Sequence, residues 1–279
     1  MFDSPTQVKM QRVRGRAAVG LRAGQGGTRL EDLHQSGSAK AMLPRVAGPV
    51  PEVVFLNTSG GITGGDRLDY AVTLAPGAQA VATTQTAERA YQSPGDTGHI
   101  GTHMVLGAGA ALDWLPQETI LFEGSDLSRH LRVELSGAEA RFLFVEMLVL
   151  GRKAMGEDIS CLCLTDRREV RRDGRLIYLE TSDLAQDSLG ARGHPALWGQ
   201  ARAIATLGFF APEADGLADG LAERVMAGLA QGEVRVAASG WDGKLIMRFA
   251  ATDLLPLKRA VAQALEALRG RALPRVWQI

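Results

Sequence analysis

Residues Leu68–Leu74 read LDYAVTL and carry their large side chains at the even positions. A period of two places alternate side chains on opposite faces of an extended chain, which is typical of a β-strand with one buried face. Pro76-Gly77 follows and predicts a turn. Residues 79–84 then predict a second strand, because they include several β-branched side chains. This part of the chain therefore predicts consecutive strands joined by tight turns.

The same pattern of short strands broken by glycine, proline or aspartate extends from Val53 to Thr181. Hairpin turns are predicted at Asp173-Gly174 and at Trp241-Asp242-Gly243, because aspartate and glycine tolerate the positive φ of a tight turn. The second turn lies within a hairpin near 234–249. The other predicted strands are Ile100–Leu106, Ala110–Leu115, Thr119–Phe122, His130–Leu135, Arg141–Val149, Ile159–Leu164, Arg168–Arg172 and Arg175–Thr181.

Only the C-terminal third predicts helices. Apolar residues recur every four positions between Leu217 and Leu229, which predicts a helix near 216–231 with Asp215 as its cap. A second helix is predicted near 254–269, capped by Asp253 or Thr252 and ended by Gly270.

The predicted fold is mainly β, with a solenoid-like or stacked-sheet body and two C-terminal α-helices. We expect one domain over 1–279, with a β-rich body at about 1–184 and a mixed part at about 185–279. Residues 186–196 are polar and contain glycine and proline, so they predict a loop.

The composition excludes several classes of protein. Lysine and arginine total 31, as do aspartate and glutamate, so the net charge of zero argues against a dedicated nucleic-acid binder. Apolar residues make up 46% and charged residues 22% of the 279, which excludes wholesale disorder. The first 24 residues lack the apolar core of a signal peptide, and the longest apolar run, Phe142–Leu150, is too short to span a bilayer. We therefore expect a cytoplasmic protein that binds neither membrane nor nucleic acid.

The glycine cluster Gly60-Gly61-Ile62-Thr63-Gly64-Gly65-Asp66 invites comparison with a phosphate-binding loop. A Walker loop has lysine where Asp66 stands, and a carboxylate there would repel phosphate. A dinucleotide-binding turn opens a helix, whereas a strand is predicted here. We therefore expect Gly60, Gly61, Gly64 and Gly65 to form a tight turn, with no nucleotide bound.

Two other groups have metal-ligand residue types. His99 and His103 are predicted to lie on a loop and strand, where residues four apart are separated by roughly 13 Å, too far to chelate one ion. Cys161 and Cys163 would lie on one strand face as a soft-metal pair, or be small core residues as free cysteines often are. The core interpretation is favoured for the cysteines.

Three acids draw attention. Glu146 interrupts the apolar run of a strand whose two faces both predict burial, so its carboxylate needs a partner. An ion pair with Arg141 or Arg152 would satisfy it, and the alternative is an acid lining an internal cavity. Glu180, at the end of Leu176–Leu179, has a similar setting, and Asp66 could accept backbone N–H bonds within its turn.

Residue spacing alone leaves a second function open. A hydrolase could use two carboxylates as acid and base, since their separation depends on the three-dimensional structure. No Ser/His/Asp or Cys/His set can be chosen from spacing.

Longer strings carry a family resemblance. These are the glycine cluster, Trp114–Phe122 (WLPQETILF), Gly151–Glu157 (GRKAMGE) and the ending Leu273–Trp277 (LPRVW). In this order they resemble the signature segments of the urease accessory protein UreD family, called UreH in some species. The resemblance runs from about residue 55 to the C-terminus.

The resemblance implies a maturation factor, not an enzyme. Proteins of this family dock on urease apoprotein and, with UreF, recruit the GTPase UreG, which carries nickel for the urease metallocentre. No cofactor is expected to bind tightly, and nickel would be in transit. The family is described as largely β with two helices, and is proposed to conduct nickel through an internal, water-filled passage.

The resemblance also nominates site residues. Acids that match the family's segments are Asp66, Glu146 and Glu180, which become candidates for a metal-transit path rather than catalysts. Weaker candidates are Asp69, Glu118 and Glu157. Carboxylates suit transit because they hold a divalent first-row ion less tightly than thiolates or clustered imidazoles.

Overall fold

The computed structural model describes residues 11–152, 156–194, 197–230 and 232–278. Lys153–Met155 of the Gly-Arg segment, residues 195–196 of the predicted loop and residue 231 of the first predicted helix lie outside this part. The strands, in chain order, are β1 (Arg14–Gly24), β2 (Gly27–Gly37), β3 (Ala39–Met42), β4 (Glu52–Asn57), β5 (Arg67–Leu74), β6 (Gln79–Thr84), β7 (Glu88–Ala90), β8 (Gly98–Leu106), β9 (Ala111–Leu115), β10 (Thr119–Leu121), β11 (Asp126–Leu135), β12 (Arg141–Leu150), β13 (Cys163–Arg172), β14 (Arg175–Leu184), β15 (Ala203–Phe210), β16 (Val234–Trp241) and β17 (Lys244–Ala251). The helices are α1 (Gln186–Gly190), α2 (Leu221–Ala227) and α3 (Leu254–Arg269), with 3₁₀ turns at Asp215–Leu217 and Arg275–Trp277.

The strands form two sheets. The first sheet has seven strands in the order β14-β13-β11-β8-β5-β1-β2, and the second has ten, with β16-β17-β15-β12-β9-β6-β4-β3 as its main path. In the second sheet, β10 pairs with both β12 and β7. From β4 to β13 the chain passes back and forth between the sheets, with β7 and β10 as extra short strands of the second sheet. The central neighbours in each sheet are parallel. This winding confirms the mainly β prediction and gives the body its solenoid-like character.

The main core lies between the two sheets. Strand β12 sends its even-numbered side chains, such as Phe142 and Phe144, into this core. Its odd-numbered side chains, such as Val145 and Met147, enter a second core that also contains α3. Strand β12 is therefore buried on both faces, as the run Phe142–Leu150 predicts. Because 146 is an even position, the chain places Glu146 between the sheets.

The C-terminal elements are confirmed in part. Helix α3 matches the prediction, and the Asp253 side chain accepts a bond from the Leu255 N–H at its start. The hairpin β16–β17 and both Asp-Gly turns also form, with positive φ at Asp173 and Asp242.

The predicted helix near 216–231 is too long. The structure has a 3₁₀ turn there followed by the short α2, because Gly220 adopts φ +67° between them. Asp215 therefore begins the 3₁₀ turn and does not cap α2.

Other elements were not anticipated. Strands β1 to β4, β7 and β15 were not predicted, and part of the predicted loop 186–196 forms α1. The predicted strand Ile159–Leu164 is wrong, since strand pairing begins only at Cys163. The backbone of Cys161 instead accepts a bond from Gly124, beyond the end of β10.

The predicted glycine turn forms before β5. Gly60 and Gly65 have positive φ, while Gly61 and Gly64 are packed closely against neighbouring segments. A Cβ at Gly64 would lie 2.1 Å from both the Asp96 carbonyl oxygen and Ser93 Oγ.

We expect Gly64→Ala to lower the free energy of unfolding by about 1–3 kcal/mol, the usual cost of overpacking. Urea denaturation of the whole chain measures this. Gly190→Ala is the control, because a Cβ added there would meet no neighbouring group within 4 Å. Equal stability of Gly64→Ala and the parent chain would contradict the account of this turn.

Candidate functional site

A cluster of charged side chains lies between the sheets. On β11 and β13, Arg129 and Asp166 are direct cross-strand partners, as are Arg168 on β13 and Glu180 on β14. From the opposite sheet, β12 contributes Glu146 to the same space. The alternation of each strand points these side chains inward, so sheet register brings together residues that are far apart in sequence.

Arg129 is the centre of the cluster. Its Nη2 lies 2.9 Å from Glu146 Oε2 and 2.9 Å from Asp166 Oδ2, and its Nη1 donates to Thr119 Oγ1 at 2.8 Å. Trp114 Nε1 donates to the other oxygen of Glu146 at 3.0 Å. Arg129 is only 7% exposed and Asp166 only 2%. One buried guanidinium therefore joins the two sheets.

The cluster continues toward the surface through Arg168. This residue pairs with Asp166 on one side and with Glu180 on the other, where Nη1 lies 2.7 Å from Oε2. Glu180 also accepts a bond from the Tyr178 hydroxyl at 2.7 Å and pairs with the exposed Arg248. The result is a chain of alternating charges that leads from the interior to the edge of the body.

These contacts favour the ionised form of Asp166 and Glu180. Burial alone would raise the pKa of Asp166, but the charges of Arg129 and Arg168 outweigh it and hold that pKa below its ordinary value. Burial likewise opposes ionisation of Glu180, and Arg168 with Arg248 again lowers the pKa. Three acids and three arginines leave the chain of charges with no net charge.

A small cavity, partly open to solvent, adjoins the cluster. It has a volume of about 50 Å³ and is lined by residues that include Glu146, Asp166 and Arg129. A water molecule needs roughly 10–15 Å³ of such space, so the cavity has room for about three to five water molecules. A second cavity of about 40 Å³ shares the lining residues Tyr70, Thr84 and Glu88 with the first.

The prediction of a partner for Glu146 holds, but the predicted partners are wrong. Arg141 pairs with Glu213, and Arg152 lies 3.0 Å from Glu157. Arg129 pairs with Glu146 because the inward-facing residues of β11 lie opposite those of β12. That contact depends on how the two sheets pack together, which the sequence alone does not show.

Sequence reasoning also missed Asp166, Arg168 and Glu88. The alternation Leu164, Asp166, Arg168, Val170 was an available signal, because it places both charges on the buried face of β13.

The other candidate acids lie outside this cluster. Asp66 accepts bonds from the Val13 N–H at 2.7 Å and the Thr63 N–H at 3.0 Å, as its turn interpretation predicts. Asp69 pairs with Arg67 at the surface. Glu118 lies 3.1 Å from Lys258, and Glu157 pairs with Arg152.

The two thiols and the imidazoles of His99 and His103 are at the surface. Cys161 and Cys163 are both free and exposed, so the prediction that they are core residues is wrong. His99 and His103 lie on β8 with exposed side chains, as ordinary surface histidines do. In the part of the chain that the structure describes, no three His, Cys, Asp or Glu residues are placed to hold a metal ion.

Comparison with known proteins shows the family of the chain. A model of the UreD urease accessory protein family matches residues 13–278. The chain belongs to the UreD family. A protein of Dinoroseobacter shibae named urease accessory protein UreD is 52% identical over 273 residues, covering 97% of this chain and 94% of the relative. Proteins with the same name from Paracoccus denitrificans and a Methylobacterium species are 50% and 43% identical, and each alignment covers at least 97% of both chains.

Membership in the UreD family assigns this chain a role in urease maturation. The relatives bear the name of an accessory protein and not of an enzyme. Over the described ranges, none of the UreD-family chain's helices has the length and apolar character needed to cross a membrane.

The buried ion pairs make a stability prediction. We expect Asp166→Asn to lower the free energy of unfolding at pH 7 by about 3 kcal/mol, because it leaves two buried arginines short of a counter-charge. The folded-state pKa of Asp166 is depressed, so its contribution is present above about pH 4 and is lost as the pH falls through that depressed value. The difference between variant and parent should therefore shrink in acid.

Urea denaturation at a series of pH values measures the effect. Asp69→Asn is the matched control, since its pair with Arg67 is exposed and should contribute less than about 1 kcal/mol. A difference for Asp166→Asn that stayed constant down to pH 3 would contradict the assignment.

Proposed function

We propose that this chain is a cytoplasmic scaffold that docks on urease apoprotein with UreF and UreG and lets nickel pass through its interior. The observation that carries the proposal is the cavity between the sheets, where Glu146 and Asp166 share Arg129. The chain is proposed to transform no substrate, and nickel is its cargo rather than a resident cofactor.

The chemistry of the cluster suits transfer of a divalent cation. Carboxylate oxygens bind first-row ions more weakly than thiolate or imidazole groups do, so ligand exchange can stay fast. The arginines hold the pKa values of Asp166 and Glu180 below their ordinary values, where burial alone would raise them. An incoming cation therefore binds to charged carboxylate oxygens and displaces a guanidinium from them, without first displacing a proton.

The alternating acids and arginines mark a path from the cavity to the edge of the body. Glu146 and Asp166 face the cavity, and Arg168 links Asp166 to Glu180 at the edge of the body. A cation that leaves the cavity would move along this row as each arginine side chain shifts between neighbouring acids. Asp66 is satisfied by backbone N–H groups and is not needed for this path.

We expect Glu146→Gln and Glu180→Gln each to lower urease activation at limiting nickel at least fivefold. The physical reason is that glutamine keeps the side-chain volume but removes the charge that receives the cation. The measurements are urease specific activity and nickel content in cells that carry the variant gene. Copurification of the chain with urease subunits and UreF should be unchanged.

Glu213→Gln is the control, because Glu213 is a half-exposed acid that also pairs with an arginine. Deletion of the chain should leave urease expressed but poor in nickel. Full urease activity in the deletion strain would refute the proposed function. Aggregation of the two site variants would instead indicate that their ion pairs serve folding alone.

A further inference from the structure

Glu88 differs from the other acids between the sheets in having no cationic partner. Its carboxylate accepts bonds from Asn57 Nδ2 at 3.3 Å and from the Arg89 N–H at 3.1 Å. Among the described residues no lysine, arginine or histidine side chain lies within ion-pair distance of it. The neighbouring Arg89 side chain reaches instead toward the Gly60 carbonyl, 3.5 Å away. Glu146, Asp166 and Glu180 each contact at least one arginine.

The position of Glu88 also distinguishes it from the acids of the cluster. Both cavities are lined by Glu88, together with Tyr70 and Thr84. The first cavity adjoins Arg129, whereas the second is lined by the exposed residues Gly60 and Arg89. Glu88 therefore lies where the two cavities meet.

Glu88 is also linked to the charged cluster through the sheet. Strand β7 pairs with β10 so that Glu88 and Thr119 are direct neighbours, and Thr119 accepts the 2.8 Å bond from Arg129. One residue thus separates Glu88 from the guanidinium that holds Glu146. An acid this close to the cluster, with no arginine within ion-pair distance, has carboxylate oxygens available to a cation.

We infer that Glu88 is the carboxylate that exchanges a divalent cation between the second cavity and the Arg129 cluster. This inference rests on the proposed function and extends it to the second end of the path. It also gives the glycine turn a role, because Asn57 binds both Glu88 and the Gly61 carbonyl, the latter at 2.9 Å. The turn thus helps to position the acid at the junction.

The test is the nickel dependence of urease activation in cells that carry Glu88→Gln. We expect the nickel concentration for half-maximal activation to rise at least fivefold, with the same maximal activation and the same copurification with urease. Glu88→Asp, which keeps the charge, should stay within twofold of the parent chain. Glu123→Gln is the control, because Glu123 also accepts backbone N–H bonds without an arginine partner but lines neither cavity.

Burial raises the pKa of Glu88, offset in part by the hydrogen bonds from the Arg89 N–H and Asn57 and by the Arg89 charge. Glutamine keeps the side-chain volume and an oxygen that can accept both hydrogen bonds, so Glu88→Gln should fold normally, which thermal unfolding checks. Loss of folding in Glu88→Gln would overturn the inference, since it would show a structural need for the charge. An unchanged nickel dependence would overturn it too.

Glu146→Gln, measured in parallel, separates the two proposals. If it impairs activation while Glu88→Gln does not, the inference fails and the proposed function stands. If neither variant impairs activation, the proposed function fails as well.

Discussion

The bridge that Arg129 forms between the sheets is the interaction on which the rest of the site depends. A strand buried on both faces brings a carboxylate, Glu146, into an apolar interior, where an unpaired charge would cost several kcal/mol. Arg129 offsets that cost, but as a buried cation it needs a second acid, and the register of β11 and β13 supplies Asp166 directly opposite. Each added charge requires another, so the ion pairs extend until Arg248 reaches solvent. The continuous row of charges is thus a consequence of burying the first one.

The same constraint explains why this interior suits cargo in passage better than a resident metal. Every acid of the row already has a guanidinium partner, so a cation must compete for oxygens and can be released again. The small cavities supply room for a few water molecules beside those oxygens. Glu88 departs from this rule, because its carboxylate has hydrogen-bond donors but no arginine. At Glu88 an arriving ion therefore displaces no ion-paired guanidinium.

The sequence alone predicts much of the fold but only part of the site. Alternation identifies β5, β-branched residues identify β6 and an apolar run identifies β12, because each of these patterns depends only on neighbouring residues. The face of β12 that carries Glu146 follows only from the packing of the sheets, which places Phe142 and Phe144 between them. The partner of Glu146 depends on which strands face each other across two sheets, and no local pattern records that. Sequence proximity suggested Arg141 and Arg152, whereas sheet pairing selects Arg129. Glu88 was missed for a different reason: its strand has three residues, too few to show a period.

The most direct test of the central claim is to locate a divalent cation in the protein itself. Crystals of the full chain soaked in a nickel salt, with diffraction data collected at the nickel absorption edge, would show bound ions as anomalous difference peaks. The account predicts a peak between the sheets, within coordination distance of Glu88 or Glu146 and beside Arg129. Peaks confined to the surface, for example at Cys161 and Cys163, with none between the sheets at saturating nickel, would contradict it.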